Sequence, residues 1–391
     1  MGYLFNSWNC KTLEELIDDK TIGLVKGARE QDNNFAYDYV KMHNISNQNS
    51  WNPFKIAKVN ATESEIEKFR LRDDDLLFNT RNSFELVGKS CLFKSTSNNP
   101  VLFNNNIMRI RFGPDIDQRF AAYAFCSPDV LRQLEEMKQG TTNVSAIYFK
   151  TLKTLKIRFP PIAEQLYIVA ILDQVFADIE KARATAETNL KNAHELFDSY
   201  LRQVFSQRGE GWKNKKWAEI LEIKNGKNQR AVESSAGKYP IIGSAGKVMA
   251  YADDYICDEG TTIIGRKGTI NNPIFIDTKF WNVDTAFGLQ ASDRLDKKFL
   301  YYFCLNYDFT TRDKGSGRPS LVKSDLLTVE MPVPEINEQR RLVSEIERLN
   351  SLLAEVFSIY EKKLDCLDEL KKSILNKAFT GELTKSKGIA A

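Results

Sequence analysis

The chain repeats part of itself at long range, and that repeat limits its architecture more than any other feature. Displaced by 174 residues, LKTLKIRFPPIAEQLYIV from Leu152 falls on LLTVEMPVPEINEQRRLV from Leu326. Leu152, Thr154, Pro160, Ile162, Glu164, Gln165 and Val169 are identical to Leu326, Thr328, Pro334, Ile336, Glu338, Gln339 and Val343. The same displacement, without a gap, sets LKNAHELFDSYLRQVF from Leu190 on LDCLDELKKSILNKAF from Leu364. A period this long is a duplicated half-protein, since solenoid repeats run about 20–50 residues. A weaker echo pairs WNCKTLEEL at Trp8 with WKNKKWAEI at Trp212, displaced by 204 residues, so the first globular segment is about 30 residues longer than the second.

Each repeat ends in a helix with a seven-residue apolar rhythm. Ile162, Val169, Phe176, Arg183, Leu190, Phe197 and Val204 interleave with Gln165, Leu172, Ile179, Ala186, Ala193 and Tyr200. Ile336, Val343, Asn350, Phe357, Leu364, Lys371 and Ala378 interleave with Gln339, Ile346, Leu353, Tyr360, Leu367 and Ile374. These are heptad seams of about 40 residues. Pro160-Pro161 and Pro334 stand where helices start; Gly209-Glu-Gly211 and Gly381 stand where they stop. The helices pair antiparallel if the intervening segment returns the chain to the end of the first. Arg183 and Asn350, polar in the seams, either fix the register or lie at the seam's edge.

The segments before each helix are mixed. Tyr239-Pro-Ile-Ile, Thr261-Thr-Ile-Ile and Asn272-Pro-Ile-Phe-Ile read as strands, while the runs from Asp129 to Met137 and from Lys297 to Cys304 have helical spacing. The expected fold class is α+β: two globular domains alternating with two long helices that pair as an antiparallel coiled coil, a pseudo-twofold internal repeat. The boundaries are 1–159 for the first domain, 160–208 for the first helix, 209–332 for the second domain, 333–383 for the second helix and 384–391 for a flexible tail.

Composition excludes more than it suggests. A chain of 391 residues, 42% hydrophobic, can bury more than one core. Six scattered cysteines without a C-x-x-C pair point to neither zinc nor disulfides, and two histidines, with His194 off the apolar seam, leave little for metal or triad chemistry. No apolar run approaches the roughly 20 residues of a membrane span, and the start lacks a basic-then-apolar leader, so the chain is expected in the cytoplasm. The net charge of +3 is uninformative; any basic patch must come from local clustering.

The duplicated proline and Glu-Gln helix starts, the Trp-Lys-x-Lys domain start and Gly315-Ser-Gly-Arg-Pro-Ser320 together resemble the specificity subunits of type I restriction-modification systems, over essentially the whole chain. The segment from Arg70 to Lys89 looks like a recurrent pattern of that family's recognition domains, as do Tyr239 to Lys247, Ile264 to Asn271 and Phe280 to Phe287. The first domain departs from the pattern, with Gly140-Thr-Thr-Asn-Val-Ser145 where the second has the Gly-Ser-Gly-Arg-Pro-Ser stretch, so Arg318 has no evident counterpart in the first half. The resemblance implies a non-catalytic subunit whose two target-recognition domains each read one half of an interrupted, asymmetric duplex-DNA site. Its helices set the spacing and dock two methyltransferase subunits, and restriction/translocase subunits can join the assembly. S-adenosylmethionine, ATP and Mg²⁺ are then used by partners, with no cofactor in this chain.

The nearest approaches to catalytic motifs fail on their residues. Asn99-Pro100-Val101 and Asn272-Pro273-Ile274 lack the second proline of an adenine methyltransferase motif; around Gly246-Lys247, Ile241 replaces the first glycine of a phosphate loop and Val248 its Ser or Thr. Pro128-Asp129 followed by Glu136-Met-Lys138 imitates a nuclease core, but the segment reads as one amphipathic helix rather than paired strands. The rival classes are an enzyme with unrecognised motifs and a coiled-coil adaptor that reads no sequence; the Arg-, Asn- and Gly-rich loops of both variable segments argue against the adaptor.

Reading duplex DNA needs Arg or Lys for guanine and Asn or Gln for adenine, on elements narrow enough for the major groove. In the first domain that composition selects Arg70, Arg72, Asn79, Arg81, Asn82, Ser83 and Lys89. In the second it selects Lys227, Gln229, Arg230, Ser244, Lys247, Arg266, Lys267 and Arg318. Flanking glycines let the backbone approach phosphate, where amides and Lys add affinity without sequence information. Trp281 and Phe287 read as core.

Overall fold

The structure is a computed structural model that describes residues 8–141, 143–206, 209 and 211–385. The expected tail, 384–391, lies outside the described residues from 386 onward, but its start is not free: Thr384, in helix Glu382–Lys385, is buried and donates to Glu164 at 2.8 Å. The chain forms two compact units, Met1–Ala184 with Leu364–Ala391, and Thr185–Lys363.

The first unit is built on a four-stranded sheet in the order Ile17–Ile22, Ile107–Phe112, Leu76–Asn79, Ser90–Leu92, all neighbours antiparallel. A second sheet sets Tyr37–Val40 antiparallel to Ala57–Val59 and parallel to Val101–Phe103. Strand Asn9–Thr12 closes the domain by pairing with Lys156–Phe159, which leads into the long helix. Helices Gln118–Phe125 and Pro128–Met137 cover the larger sheet; Phe120, Phe125, Val130 and Leu134 are buried with Phe78 and Ile110. Asp117 starts the first of these by accepting from the amides of Arg119 and Phe120. Pro128–Met137 is helical as its spacing predicts, and Asp129 bonds to Arg132 and Gln133 on its exposed side.

The second unit repeats both of these sheets and the closing pair, while the short ladder of Gln139–Gly140, Ser145–Ala146 and Arg81–Asn82 in the first is reduced in the second, among the described residues, to one bridge between Lys267 and Ser320. Its larger sheet runs Leu221–Asn225, Ala286–Ala291, Thr261–Gly265, Ile274–Ile276, and its smaller one sets Tyr239–Ile242 antiparallel to Val248–Ala252 and parallel to Trp281–Asn282. Lys213–Lys216 pairs with Glu330–Val333, reproducing both displacements seen in the sequence at once. Asp296 caps Lys297–Asn306 as Asp117 caps its counterpart. About half of the first domain's extra length lies in residues 41–56, between the hairpin strands, and in helix Glu63–Phe69, which has no counterpart among the described residues of the second domain.

The long helices are Ile162–Ser206 and Ile336–Phe379. The second stops at Gly381, whose φ of +73° is the left-handed conformation that ends helices. Both units contain a stretch of each helix, running antiparallel. In the first unit Glu180 meets Lys371 and Arg183 meets Asp368; in the second Asn189 donates to Tyr360 and His194 stacks on Phe357 at 4.2 Å. Val169, Leu172, Ile179, Ala186, Ala193 and Val204 are buried along the predicted seam, as are Val343, Ile346, Leu353 and Ala378. The two polar interruptions differ: Arg183 is half-buried and bonds across the pair, whereas Asn350 is exposed. His194, off the seam by its spacing, nevertheless reaches the partner helix through Phe357.

The repeated glutamine has a structural task. Gln165 is fully buried; its amide donates to the carbonyls of Pro160 (2.8 Å) and Asp115 (2.9 Å) and accepts from the Asp117 amide (2.8 Å). Gln339 does the same with Pro334 (2.8 Å), Arg294 (3.1 Å) and Asp296 (2.8 Å). One side chain thus bonds the start of each long helix to the cap of the domain helix beside it.

Candidate nucleic-acid interface

In the second domain, backbone bonds sew separate loops into one rim at the end of the larger sheet. The Arg266 and Lys267 amides donate to Thr285 O (2.8 and 3.2 Å), Gly268 donates to Pro319 O (2.8 Å), and Leu321 donates to Arg266 O (2.9 Å). Gly226 and Lys227 donate to Ala286 and Asn282 (3.3 and 2.9 Å), and Val283 to Ile242 (3.4 Å). Residues 226–230, 242–247, 266–268, 283–285 and 318–320 are therefore neighbours, although sequence scatters them over about a hundred positions.

Lys227, Arg230, Lys247, Lys267 and Arg318 are exposed on this rim, with Gln229, Ser244 and Arg266 half-buried. The Arg266 guanidinium lies 5.6 Å over the Phe287 ring, which pre-orients it. The Arg318 guanidinium lies against Gly268, 3.0 Å from where a β-carbon would stand, so this glycine leaves room for the arginine. Asp313 braces the loop carrying Arg318 by accepting from the amides of Gly315 and Ser320, both at 2.8 Å; those bonds hold its carboxyl below the usual range.

The first domain has the same stitching. Thr80 donates to Asn106 O (2.9 Å), Ile147 to Thr80 O (3.0 Å), Gly23 to Ile107 O (3.1 Å), Leu24 to Phe103 O (2.8 Å) and Asn104 to Val40 O (2.9 Å). Matching bonds align Thr80 with Arg266 and Arg81 with Lys267; Arg81 pairs with Ala146 as Lys267 bridges Ser320. Counting back from Ile147 and Leu321, the place of Arg318 falls to Val144, 59% exposed.

Only part of the first-domain set reaches this rim. Arg81 is exposed there, beside half-buried Asn82 and Ser83. Asn79 lies one residue inward along the strand and is fully buried, its side-chain amide without a hydrogen-bond partner among the described residues although its backbone N–H donates to Lys89 O at 2.8 Å. Lys89 is half-buried and donates to Ile45 O (3.1 Å) and Asn47 Oδ1 (2.9 Å), holding the 41–56 loop; burial pushes its amine pKa down. Arg70 and Arg72 belong to the opposite end of strand Leu76–Asn79. The Arg70 carbonyl accepts from Arg109, and the Arg72 amide donates to Asp75, which also takes a two-pronged bond from Arg111 (2.5 and 2.9 Å). The Arg-Asp-Asp-Asp run is thus a structural turn with Asp74 in the left-handed region at φ +66°. Asn104, Asn105 and Asn106, on the rim in the place of Val283, Asp284 and Thr285, were missed; three adjacent asparagines between two strands were the available signal. Trp281 and Phe287 are buried, as their composition suggests.

Among the described residues no cluster of His, Cys, Asp or Glu could hold a metal, and no helix is long and apolar enough to cross a membrane. A family model described as "Type I restriction modification DNA specificity domain" matches residues 6–188 and 209–356. The chain is 21% identical over 424 residues to a putative type I restriction enzyme MjaX specificity subunit of Methanocaldococcus jannaschii, covering 98% of this chain and 95% of that one. It is 28% identical over 196 residues to the EcoKI specificity subunit of Escherichia coli K12, covering 49% of this chain and 41% of that one. Among solved structures, the HsdS subunit from Thermoanaerobacter tengcongensis superposes with a TM-score of 0.58 at 18% identity, covering 96% and 97% of the two chains. A chain from a structure on complex assembly and conformational transition of the type I R-M system superposes with a TM-score of 0.79, again at 18% identity, covering 97% and 99%.

Proposed function

The chain belongs to the type I restriction-modification DNA specificity family, and on that premise we propose that each of its two domains reads one half of a bipartite duplex-DNA site through the rim described above. The chain is a non-catalytic specificity subunit, with catalysis carried by partner subunits. The observation that carries the half-site reading is that two domains of one topology present the same stitched loops with different side chains on them. Identical rims would read a symmetric site; Arg266, Lys267 and Arg318 against Thr80, Arg81 and Val144 read an asymmetric one.

The long helices act as spacer and as docking surface for two methyltransferase subunits, which bind S-adenosylmethionine; ATP-dependent restriction/translocase subunits complete the assembly. Exposed Leu196, Leu352, Ile359 and Leu370 on their outer faces support a docking role. Domains 1–159 and 209–332 are the recognition units in this reading, and 160–208 and 333–383 the spacers.

Mapping methylated adenines in DNA from cells carrying this subunit and its partners tests the reading. An asymmetric site interrupted by an unread spacer is the expected result; a single uninterrupted palindrome overturns it. Insertion of one heptad between Ala182 and Asn189 should lengthen the spacer and leave the half-site bases unchanged.

A further inference from the structure

Both domains expose apolar side chains on the hairpin beside the rim, in the first from the longer 41–56 connection and in the second from the returning strand itself. In the first domain the connection from Tyr37–Val40 to Ala57–Val59 carries Phe54, 65% exposed; in the second, strand Val248–Ala252 carries Val248 and Met249, 53% and 60% exposed. Each hairpin joins the rim through the last residue of its first strand, since Val40 O accepts from Asn104 and Ile242 O from Val283.

These side chains are held in place. Fully buried Asn44 accepts from the Lys41 amide (2.9 Å) and donates to the carbonyls of Asn52 (2.9 Å) and Phe54 (3.1 Å), while the Phe54 amide donates to Asn52 Oδ1 (3.1 Å). Lys55 sets its ammonium 5.1 Å over the Phe54 ring. The Met249 sulfur rests against Gly243, 3.1 Å from the position of a β-carbon there. An apolar group fixed at a loop tip gains free energy when a partner removes it from water.

Charge indicates the partner. No Asp or Glu occurs from Tyr39 to Thr62 or from Ser234 to Ala252, in a chain with 52 acidic residues. Lys55, Lys58, Lys238 and Lys247 stand in these stretches, and none forms a salt bridge among the described residues. The acids of these hairpins lie at their bases, Asp38 opposite Lys58 and Glu233 against Ala252, so towards the tips the only charges are cations. A cationic tip with an apolar side chain suits a polyanion that also offers apolar atoms, and the major groove admits a two-stranded ribbon and displays the thymine methyl.

We infer that Phe54 and Met249 are specificity-determining residues, each entering the major groove of its own half-site and packing on a thymine C5-methyl. This rests on the half-site reading above and adds the apolar part of the recognition. Removing that methyl, by replacing thymine with uracil, leaves every base-pairing and groove hydrogen bond intact.

The test is competition binding of the full chain in complex with its methyltransferase subunits to its mapped site, with thymines replaced singly by uracil. One uracil position in each half-site should weaken wild-type binding about fourfold, the effect of one buried methyl group. Phe54→Ala should erase that sensitivity in one half only and Met249→Ala in the other, with unchanged thermal unfolding. Specific binding without uracil sensitivity overturns the inference, as does sensitivity that survives both substitutions. Variants that keep the sensitivity but lose a methyltransferase subunit on purification also overturn it, in favour of a protein contact. Wild-type binding without sequence preference sinks the half-site reading itself, which separates the two failures.

Discussion

The two domains share sheet order, closing strands, capped helices and the backbone bonds of the rim, yet differ in nearly every side chain that the rim presents. Interior and edge therefore obey different constraints. Where a backbone bond or buried amide holds the fold, the residues match: Gln165 with Gln339, Asp117 with Asp296, Gly23 with Gly226. Where the loops meet solvent, the second domain offers three cations at places that hold Thr80, Arg81 and Val144 in the first. A frame fixed by main-chain bonds leaves its tips free to vary, as a module with changeable specificity requires.

The largest expected effect breaks the matched interior. A β-carbon on Gly226 would stand 1.7 Å from Val283 O, and one on Gly23 would stand 2.3 Å from Asn104 O. Gly23→Ala and Gly226→Ala should each destabilise their own domain by about 3 kcal/mol. Hydrogen exchange resolved by domain checks this; loss of protection in the other domain would mean the frames are not independent.

Next are the glutamines. Gln165→Leu and Gln339→Leu each strand two carbonyls and one amide, at a cost of about 2–3 kcal/mol. Thermal unfolding of both variants checks the match, and unequal losses would show that one helix start has other support.

The rims are compared by binding. Arg266→Ala should cost about 1–3 kcal/mol and relax specificity at one base of the second half-site, because a guanidinium set over Phe287 presents a planar fork. Lys267→Ala should weaken all sequences alike and lower the salt slope by about one. Competition between site variants across salt concentrations decides it, and unchanged binding by both variants removes this turn from the interface.

The smallest effect concerns one backbone position. Asp74 adopts φ +66° where the second domain has Gly260 at +76°. Asp74→Gly should stabilise the first domain by about 0.5–1 kcal/mol, because the left-handed conformation no longer opposes a β-carbon. Gly260→Asp should do the reverse, since its β-carbon would also meet Lys297 Cδ at 2.4 Å. Chemical denaturation of the pair checks the sign, and like signs would refute the equivalence.

Much of this molecule was legible without coordinates. The internal displacements matched the segments that form the closing strand pairs, as repeats though not as strands, and heptad spacing found both long helices and most of their buried seam, because repeats and periodicities are properties of a chain read along its length. Groove-reading chemistry with the family pattern picked out Lys227, Gln229, Arg230, Ser244, Lys247, Arg266, Lys267 and Arg318, which the structure gathers on one rim, but not Asp284 or Thr285 beside them. In the first domain Arg70 and Arg72 share that chemistry but lie at the other end of strand Leu76–Asn79, and Asn79 is buried within it.

What tertiary structure decided is which of several suitable side chains share a place. Strand pairing put Arg81 beside Ala146 and brought Asn104 to Asn106 onto the same rim, while the inserted 41–56 loop took the Lys89 amine for its own support. Those outcomes depend on partners up to about sixty residues away and on which atoms burial leaves in contact with water. Neither is carried by the local pattern of the chain.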